Sequence, residues 1–240
     1  MPTTEAKLKN QDTYVQSMFR KIAGKYDLLN NLMTMGLHNK WKEQTIKLAL
    51  KEKNDINNVI DLCSGTGDLA LILKKLCPSL KIKCIDSCKE MLKIAEEKFK
   101  LKNYNNYEFL IEDIDNISLH NGTYDLITIG FGLRNLANKE LCLEKAYNLL
   151  KSNGVFACID LGHPTNILWK EVYYLFFFKI IPLLGHFFAK NKEAYTYLPN
   201  SLLSWYKQEE LKNKLLSIGF RKVYYVNFLG GVVASHIAVK

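Results

Sequence analysis

The sequence has few of the features that mark metal sites, nucleic-acid surfaces or exported proteins. Its six cysteines include no Cys-x-x-Cys pair and its five histidines are scattered, so we expect no metal site. Arginine occurs only three times, and the lysines behind the net charge of +9 are spread over the whole chain. A nucleic-acid partner is not expected, because such proteins cluster basic residues on one face. Residues Met1 to Asn10 lack the apolar core of a secretory signal.

A long uninterrupted apolar run is also lacking. The most apolar stretch, Ile167 to Ala189, contains three charged residues, a proline and a histidine, whereas a spanning helix needs about 20 mostly apolar residues. We therefore expect no transmembrane helix, while the basic surface leaves peripheral contact with anionic lipid open. Most of the cysteines fall within apolar patterns, which is typical of reduced thiols in a reducing compartment such as the cytoplasm.

Short apolar runs alternate with amphipathic segments, which predicts an α/β fold with a parallel sheet and helices on both faces. The predicted strands of this alternation are Val59–Cys63, Lys81–Asp86, Tyr107–Ile111, Tyr124–Ile129 and Val155–Leu161. The predicted helices are Asp68–Leu76, Lys89–Lys100, Lys139–Leu150 and Gln208–Ile218. Asn153-Gly154 predicts a turn, and Gly230-Gly231 predicts a hairpin in which Val232–Val239 returns antiparallel to Lys222–Phe228.

The 240 residues, of which 48% are hydrophobic, predict a single α/β domain over residues 1–240. Two segments lie outside the alternation, at about residues 13–52 and about residues 163–203. Sheets of this kind bind ligands at the carboxyl ends of their strands. We therefore expect residues 13–52 to form an N-terminal cap over such a site and residues 163–203 to form a lid.

A glycine-rich turn follows the first predicted strand, in the sequence Asp61-Leu62-Cys63-Ser64-Gly65-Thr66-Gly67-Asp68. Glycine permits close approach of the backbone, and the free N–H groups at a helix start favour a negative group. Asp86 ends the second strand and follows Gly67 by 19 residues, close to the ~20-residue spacing of an acid that binds ribose hydroxyls. Gly65, Gly67 and Asp86 therefore predict a nucleotide-type cofactor.

Two classes of cofactor fit this loop. Gly65 to Ala70 matches the Gly-x-Gly-x-x-Ala pattern of dinucleotide enzymes, in which the turn holds a pyrophosphate. In a methyltransferase the turn would hold the methionine carboxylate of S-adenosylmethionine. Asp61 favours the methyltransferase, because a buried acid within the strand can orient the loop or meet the cofactor's amino group. Glu112-Asp113-Ile114-Asp115 favours it too, because an acid after the third strand can reach an adenine amine.

Four stretches resemble the C-methyltransferases of ubiquinone, menaquinone and phylloquinone biosynthesis, and the resemblance covers about Val15 to Val239. The stretches are Met18 to Asn30, Asp61 to Leu69, Phe131-Gly132-Leu133-Arg134-Asn135, and Tyr195-Thr196-Tyr197-Leu198. The Phe-Gly-Leu-Arg-Asn block is the most specific of the four, whereas the glycine-rich loop is shared by many methyltransferases.

The resemblance implies the seven-stranded, mostly parallel sheet of class I S-adenosylmethionine-dependent methyltransferases. It also implies cofactor contacts at Thr66, Asp86, Asp113, Ile114 and Gly130. Ubiquinone-type bacterial members commonly have Ser before Phe-Gly-Leu-Arg-Asn, where this chain has glycine. This glycine, together with the sequence of the loop, makes the chain more similar to the cyanobacterial and plastid branch of the family. For a member of that branch the expected compartment is the cytoplasm or the plastid stroma.

The implied function is S-adenosylmethionine-dependent C-methylation of a prenylated naphthoquinol, the last methylation in phylloquinone or menaquinone biosynthesis. The alternatives are a C-methyltransferase of ubiquinone biosynthesis and a non-catalytic methyltransferase-like subunit, and the sequence leaves a homodimer open. The substrate's tail would suit the apolar residues between 168 and 184 together with Met33 and Met35. Ordinary core packing or a helix lying on a membrane surface explains the same pattern.

Arg134 and Asn135 follow the fourth strand and are the candidate catalytic residues. Arg134 can hold an oxyanion or polarise a water but is a poor base, because it stays protonated. Asn135 can orient the same water or hydroxyl. The structural alternative is that Arg134 pairs with an acid and Asn135 caps the next helix. His163 could face the site or be an ordinary loop residue, and by resemblance Tyr26 and Asp27 belong to the cap.

Overall fold

A computed structural model describes residues 14–175 and 201–240. Residues 14–22 form helix α1. The other helices are α2 (Tyr26–Thr34), α3 (Leu37–Glu52), α4 (Asp68–Leu76), α5 (Lys89–Leu101), α6 (Lys139–Leu149), α7 (Ile167–Leu175) and α8 (Gln208–Ile218). The strands are β1 (Asn58–Leu62), β2 (Lys81–Asp86), β3 (Tyr107–Ile111), β4 (Tyr124–Gly130), β5 (Leu150–Leu161), β6 (Lys222–Phe228) and β7 (Val233–Val239).

One sheet of seven strands has the order β3-β2-β1-β4-β5-β7-β6. Strands β1 to β5 pair in parallel, and β7 is antiparallel to its neighbours β5 and β6. The predicted fold class is confirmed, including the antiparallel last strand. The chain winds outward from β1 to β3 and then returns to β4 on the other side of β1. This reversal opens a crevice at the carboxyl ends of β1 and β4.

The central strands are buried almost throughout. Six of the seven residues of β4 and four of the five of β1 are buried, as expected for parallel strands covered by helices on both faces. Asp61 lies within the buried part of β1 with only 1% of its surface exposed. A carboxylate in this position is costly unless a hydrogen bond or a ligand compensates it.

Strand β5 begins five residues earlier than predicted. The turn expected at Asn153-Gly154 is an irregularity within the strand, where Tyr124 pairs with Leu150 and Leu126 with Val155. Asn153 adopts a left-handed φ of 61°, which accommodates the extra residues. The bounds of all other predicted strands and helices agree with the structure within one residue.

The cap segment contains α1, α2 and α3, which the sequence patterns did not resolve as separate helices. Helix α7 lies in the segment expected to form a lid. Residues 176–200 of that segment, including the Tyr195–Leu198 stretch and much of the apolar run, lie outside the described residues. No helix in the described ranges has both the length and the apolar character needed to cross a membrane.

Gly67 is required for the packing of α4 against α5. It precedes α4 with a left-handed φ of 80°, and its N–H donates to the Ser64 carbonyl over 2.8 Å. A Cβ at this position would lie 2.9 Å from the Cβ of Ala95 in α5. The geometry therefore demands glycine for steric reasons, and a cofactor contact by Gly67 stays a prediction.

Replacing Gly67 by alanine should lower the free energy of unfolding by about 1–3 kcal/mol, because the new methyl group overpacks the contact with Ala95 and strains the backbone. Urea denaturation followed by circular dichroism measures the change. Gly24→Ala is the matched control, since no atom lies within 4 Å of a Cβ there. Equal stability of the two variants would contradict the packing argument.

Candidate cofactor and active site

A cleft of about 740 Å³, a volume that includes its open mouth, lies at the carboxyl ends of β1, β2 and β4. Among the predicted site residues, it is lined by Gly65, Asp86, Asp113, Ile114, Gly130 and Asn135. Its other lining residues are Val15, Gln16, Phe19, Tyr26, Cys63, Ser87, Cys88, Met91, Glu112, Phe131, Gly132 and Leu136. The cap and the sheet therefore both contribute to its walls.

A smaller cleft of about 340 Å³ adjoins the first. It is lined by Tyr26, Lys42, Asp61, Cys63, Ser64, Gly65, Thr66, Asp68, Leu69 and Gly130. Four of these residues line both clefts: Tyr26, Cys63, Gly65 and Gly130. The two clefts are therefore continuous, and one ligand can extend from one into the other.

Asp86 joins the end of β2 to the glycine-rich loop. Its Oδ2 accepts a hydrogen bond from the Gly65 N–H and its Oδ1 accepts one from the Cys88 N–H, both over 2.8 Å. Burial raises the pKa of Asp86, although these two hydrogen bonds oppose the effect. Each carboxylate oxygen has lone-pair capacity for a further donor, so Asp86 can hold the loop and still accept from a ligand hydroxyl.

Asp113 lies after β3 and also lines the larger cleft. Its Oδ1 accepts from the Asp115 N–H over 3.0 Å, and its Oδ2 faces the Gln16 side-chain amide of α1 at 3.4 Å. Ile114 beside it is buried. The N-terminal segment thus touches one of the predicted cofactor residues; the sequence predicted a cap here but did not identify Gln16.

Asp61 presents an unsatisfied carboxylate oxygen to the smaller cleft. Its Oδ1 accepts from the Thr128 hydroxyl over 2.6 Å, while its Oδ2 is buried without a hydrogen-bond partner. Burial raises the pKa of Asp61 to about 7; Asp68 adds to the rise, whereas the Thr128 hydroxyl, the nearby Ala70 N–H and Lys42 oppose it. The Ser64 hydroxyl, on the same cleft, is also buried without a partner. These oxygens are the strongest local sign of a polar ligand.

A buried charge cluster joins the cap to the loop. Lys42 of α3 lies 2.7 Å from Asp68, and Lys98 of α5 lies 3.1 Å from Asp68 and 2.6 Å from Asp27. The Thr66 hydroxyl donates to Asp27 over 2.7 Å. Burial alone would raise the pKa of Asp68, but the two lysines outweigh it and hold the pKa at about 2. Sequence reasoning singled out neither lysine, and no local pattern marks them.

Gly130 lines both clefts at the end of β4. A Cβ there would lie 2.8 Å from Leu69 Cδ1. The departure from the serine of ubiquinone-type bacterial members therefore has a packing reason, because a side chain at this position would require Leu69 to move.

The Phe131–Asn135 turn separates the two candidate catalytic residues. Asn135 lines the larger cleft, donates from Nδ2 to the Phe131 carbonyl over 3.0 Å, and has a buried Oδ1 without a partner. Arg134 lies behind it, with its guanidinium 2.5 Å from Asp160 and 2.8 Å from the Phe131 carbonyl. The alternative that Arg134 pairs with an acid is confirmed, while Asn138, not Asn135, precedes α6.

His163 has structural partners in the lid rather than a place on either cleft. Its Nε2 lies 3.2 Å from the Trp205 carbonyl and its Nδ1 lies 3.3 Å from the Tyr174 hydroxyl. Burial lowers its pKa. Tyr26, by contrast, lines both clefts and packs edge-on against Phe19 at 5.9 Å. The cap residues thus lie closer to the clefts than His163 does.

Comparison with known proteins agrees with this geometry. Residues 7–240 match the family described as the ubiE/COQ5 methyltransferase family. The chain belongs to that family. It is an S-adenosylmethionine-dependent methyltransferase, and the resemblance drawn from the four sequence stretches is confirmed.

Curated relatives cover nearly the whole of this methyltransferase. The demethylmenaquinone methyltransferase of Porphyromonas gingivalis is 34% identical, over 94% of this chain and 92% of the relative. The protein of the same name from Staphylococcus carnosus is 33% identical, over 98% and 96%. The ubiquinone/menaquinone biosynthesis C-methyltransferase UbiE of Rickettsia typhi is 35% identical, over 94% and 92%.

Solved structures share the fold at lower identity. The plantazolicin methyltransferase BpumL in complex with SAH superposes with a TM-score of 0.67 at 19% identity, covering 99% of this chain and 98% of that one. A SAM-dependent methyltransferase of Thermotoga maritima has a TM-score of 0.65 at 17% identity, covering 93% and 99%. These likenesses confirm the class I methyltransferase sheet.

The two clefts of this methyltransferase fit its cofactor. Asp86 and Asp113 are available to the ribose hydroxyls and the adenine amine in the larger cleft. The unsatisfied oxygens of Asp61 and Ser64 suit the charged amino-acid end in the smaller one. A Cβ at Gly65 would meet no atom within 4 Å, so the loop leaves space for a ligand at the junction. These assignments of single residues to the cofactor stay predictions.

The affinity for S-adenosylhomocysteine should fall as the pH is lowered through about 7. We expect its ammonium group to bind the carboxylate form of Asp61, whose pKa burial raises to about 7 against the opposing effects of the Thr128 hydroxyl, the Ala70 N–H and Lys42. Between pH 8 and pH 6 the dissociation constant should rise about tenfold, because protonated Asp61 must first lose its proton. Isothermal titration in buffers of different ionisation enthalpy measures both the affinity and the released proton.

Two controls isolate Asp61 from neighbouring titratable groups. Asp61→Asn should remove this pH dependence. The second control is the binding of 5′-methylthioadenosine to the wild type. Because this ligand lacks the ammonium group, the pH dependence of its affinity should reflect only other acids, such as Asp86. Cys84 and Asp68 also lie near Asp61, but they remain in the Asn variant. An equally steep pH profile in that variant would exclude Asp61 as the source.

Proposed function

We propose that this enzyme methylates a ring carbon of a reduced, prenylated naphthoquinone of the demethylmenaquinol type. The support is that relatives over more than nine-tenths of the chain carry the name demethylmenaquinone methyltransferase. The observation that carries the proposal in the structure is Asn135, which lines the cleft beside the cofactor loop and has a buried Oδ1 without a hydrogen-bond partner. Phylloquinone precursors of the cyanobacterial and plastid branch are a narrower version of the same proposal.

A ring carbon becomes a nucleophile when a neighbouring hydroxyl of the reduced quinone loses its proton. The bound cofactor supplies an electrophilic methyl group on a sulfonium and leaves as a neutral thioether. Methyl transfer would form the new carbon–carbon bond as the sulfur–carbon bond breaks. The ring carbon would then lose its proton to water and the ring oxygen would regain one, so that one proton is released in all. The protein's task is to orient the ring and to favour the ionised hydroxyl.

Asn135 is suited to orienting the ring. Its Nδ2 donates to the Phe131 carbonyl, which fixes the direction of the amide, and its Oδ1 keeps no hydrogen-bond partner. Oδ1 can accept a hydrogen bond from a quinol hydroxyl or from a water that carries its proton away. An amide is neither an acid nor a base at neutral pH, so its contribution is positional.

Arg134 is suited to holding the Phe131–Asn135 turn. Its guanidinium and backbone N–H both bind the Asp160 carboxylate, and its NH1 binds the Phe131 carbonyl. The ion pair with Asp160 neutralises much of the charge that would otherwise stabilise an oxyanion. We propose that Arg134 is a positioning residue that acts through Asn135 and Phe131.

The prenyl tail would extend toward the lid. Helix α7 follows β5, whose carboxyl end lies at the same edge of the sheet as the clefts. The helix exposes Ile167, Leu168, Val172 and Leu175 by more than half of their surface. Apolar side chains this exposed on one helix are suited to contact with a hydrocarbon chain.

A methyl-transfer assay tests the proposed acceptor. The purified enzyme receives S-adenosylmethionine with a labelled methyl group and one of three reduced quinones: a short-chain demethylmenaquinol, demethylphylloquinol or a ubiquinone-type benzoquinol. We expect transfer to the naphthoquinols at a rate well above that to the benzoquinol. Transfer to the benzoquinol alone would favour the ubiquinone pathway, and transfer to none of the three would overturn the proposal.

Replacing Asn135 by alanine should lower kcat about tenfold or more, because the quinol hydroxyl loses its orienting partner. The dissociation constant for S-adenosylhomocysteine, measured by titration calorimetry, should change by less than about threefold. Asn138→Ala is the matched control: that amide binds Asp115 over 2.9 Å and lines neither cleft. Turnover of the Asn135 variant equal to that of the control would remove the assigned role.

Replacing Arg134 by alanine should lower turnover by an order of magnitude or more and leave cofactor affinity intact. It should also destabilise the fold by about 3–5 kcal/mol, because the Asp160 carboxylate, 2% exposed, loses its buried partner. Arg134→Lys keeps the charge and should recover part of the stability. Wild-type turnover in a folded Arg134→Ala variant would be incompatible with a positioning role.

A further inference from the structure

The smaller cleft combines one buried group of each charge. Asp61, near the end of β1, and Ser64 both line it, and the Asp61 Oδ2 and the Ser64 hydroxyl are buried without a hydrogen-bond partner. Lys42 of the cap helix α3 lines the same cleft, and only 6% of its side chain is exposed. A buried carboxylate, hydroxyl and ammonium around one space form a site with the polarity of an α-amino-acid zwitterion.

Lys42 has unused hydrogen-bonding capacity. An ammonium group has three N–H donors, and within the described residues Lys42 donates one of them, to Asp68. Its Nζ also lies 5.6 Å from the centre of the Phe131 ring, where the larger cleft begins. The ammonium therefore lies next to the junction of the two clefts with two donors uncommitted.

Lys98 provides the contrast within the same charge cluster. Its ammonium donates to the Thr66 carbonyl over 3.1 Å and lies 3.1 Å from Asp68 and 2.6 Å from Asp27. These three acceptors match its three donors, and Lys98 lines neither cleft. Contacts within the described residues therefore use all three donors of Lys98 but only one donor of Lys42.

Asp68 would repel an anion at the start of α4 if it were not compensated. A helix N-terminus attracts negative groups through its free N–H groups and its dipole, but Asp68 already supplies one negative charge in the first turn. Lys42 and Lys98 together outweigh that charge. An incoming carboxylate is then favoured at the loop only while Lys42 remains beside it.

We propose that Lys42 binds the carboxylate at the amino-acid end of the cofactor, together with the Ser64 hydroxyl, while Asp61 accepts its ammonium group. The cap helix α3 thereby contributes a charged ligand to a cofactor site otherwise built from the strand ends and the loop. This assignment concerns the cofactor alone and holds for any methyl acceptor, so its failure and that of the proposed quinol substrate are independent.

Titration calorimetry with two ligands tests the proposal without turnover. S-adenosylhomocysteine carries the amino-acid end, whereas 5′-methylthioadenosine keeps the adenosyl group and lacks it. Lys42→Met should weaken S-adenosylhomocysteine binding about tenfold or more, as expected for loss of a charge-assisted hydrogen bond. Its affinity for methylthioadenosine should change by less than about twofold, and Lys42→Arg should restore most of the lost affinity.

Lys98→Met is the matched control, because it removes the other lysine partner of Asp68. It should change the affinities for both ligands by the same factor, through the cap and the loop. If Lys42→Met does not fold, Lys42→Gln takes its place, because glutamine keeps a hydrogen-bond donor but removes the charge. Equal weakening of both ligands by the Lys42 variant, or unchanged affinity for S-adenosylhomocysteine, would overturn the proposal.

Discussion

The pairing of Asp68 with Lys42 and Lys98 is the interaction on which the arrangement of this site depends. Asp68 begins α4 directly after the glycine-rich loop, while its two partners come from α3 and α5. A largely buried carboxylate is stable only when its charge is compensated, so the three helices must meet at this point. These ion pairs therefore hold the loop, the cap helix α3 and helix α5 together. The pair between Lys98 and Asp27 adds helix α2 to this group.

Carboxylates at the ends of neighbouring strands line the two clefts: Asp86 and Asp113 line the larger one and Asp61 lines the smaller one. Asp61, Asp86 and Asp113 lie at the ends of β1, β2 and β3 or directly after them, but their surroundings differ. Asp86 and Asp113 accept backbone N–H groups and hold the chain around the larger cleft. Asp61 receives one hydroxyl and keeps an oxygen unsatisfied. Strand order therefore brings the acids together, and local hydrogen bonding decides how much acceptor capacity each of them keeps for a ligand.

The parts of this structure that depend on local patterns were predictable from the sequence. The spacing between Gly67 and Asp86 predicted an acid near the loop that binds ribose hydroxyls. The structure places Asp86 beside the loop, where its carboxylate accepts the Gly65 N–H, while the ribose contact stays a prediction. The Lys42–Asp68 pair was not predictable, because the two residues lie on separate helices 26 positions apart and lysine is abundant in the chain. The predicted start of β5 was wrong because a contact distant in sequence overrides the local pattern. Asn153-Gly154 has the local chemistry of a turn, but Asn153 and Gly154 hydrogen-bond with Lys240, which keeps them in the sheet.

The position of Arg134 shows why residue type and proximity do not by themselves assign chemistry. β4 and β5 are adjacent, with Gly130 opposite Ile159, so the residues that follow β4 meet Asp160 at the end of β5. An arginine in that place forms a buried ion pair before it can meet a ligand, and its neighbour Asn135 is left facing the cleft. The charged side chain thus stabilises the turn, while the neutral amide next to it lines the larger cleft. A charged residue in this turn can be essential for turnover without touching the substrate.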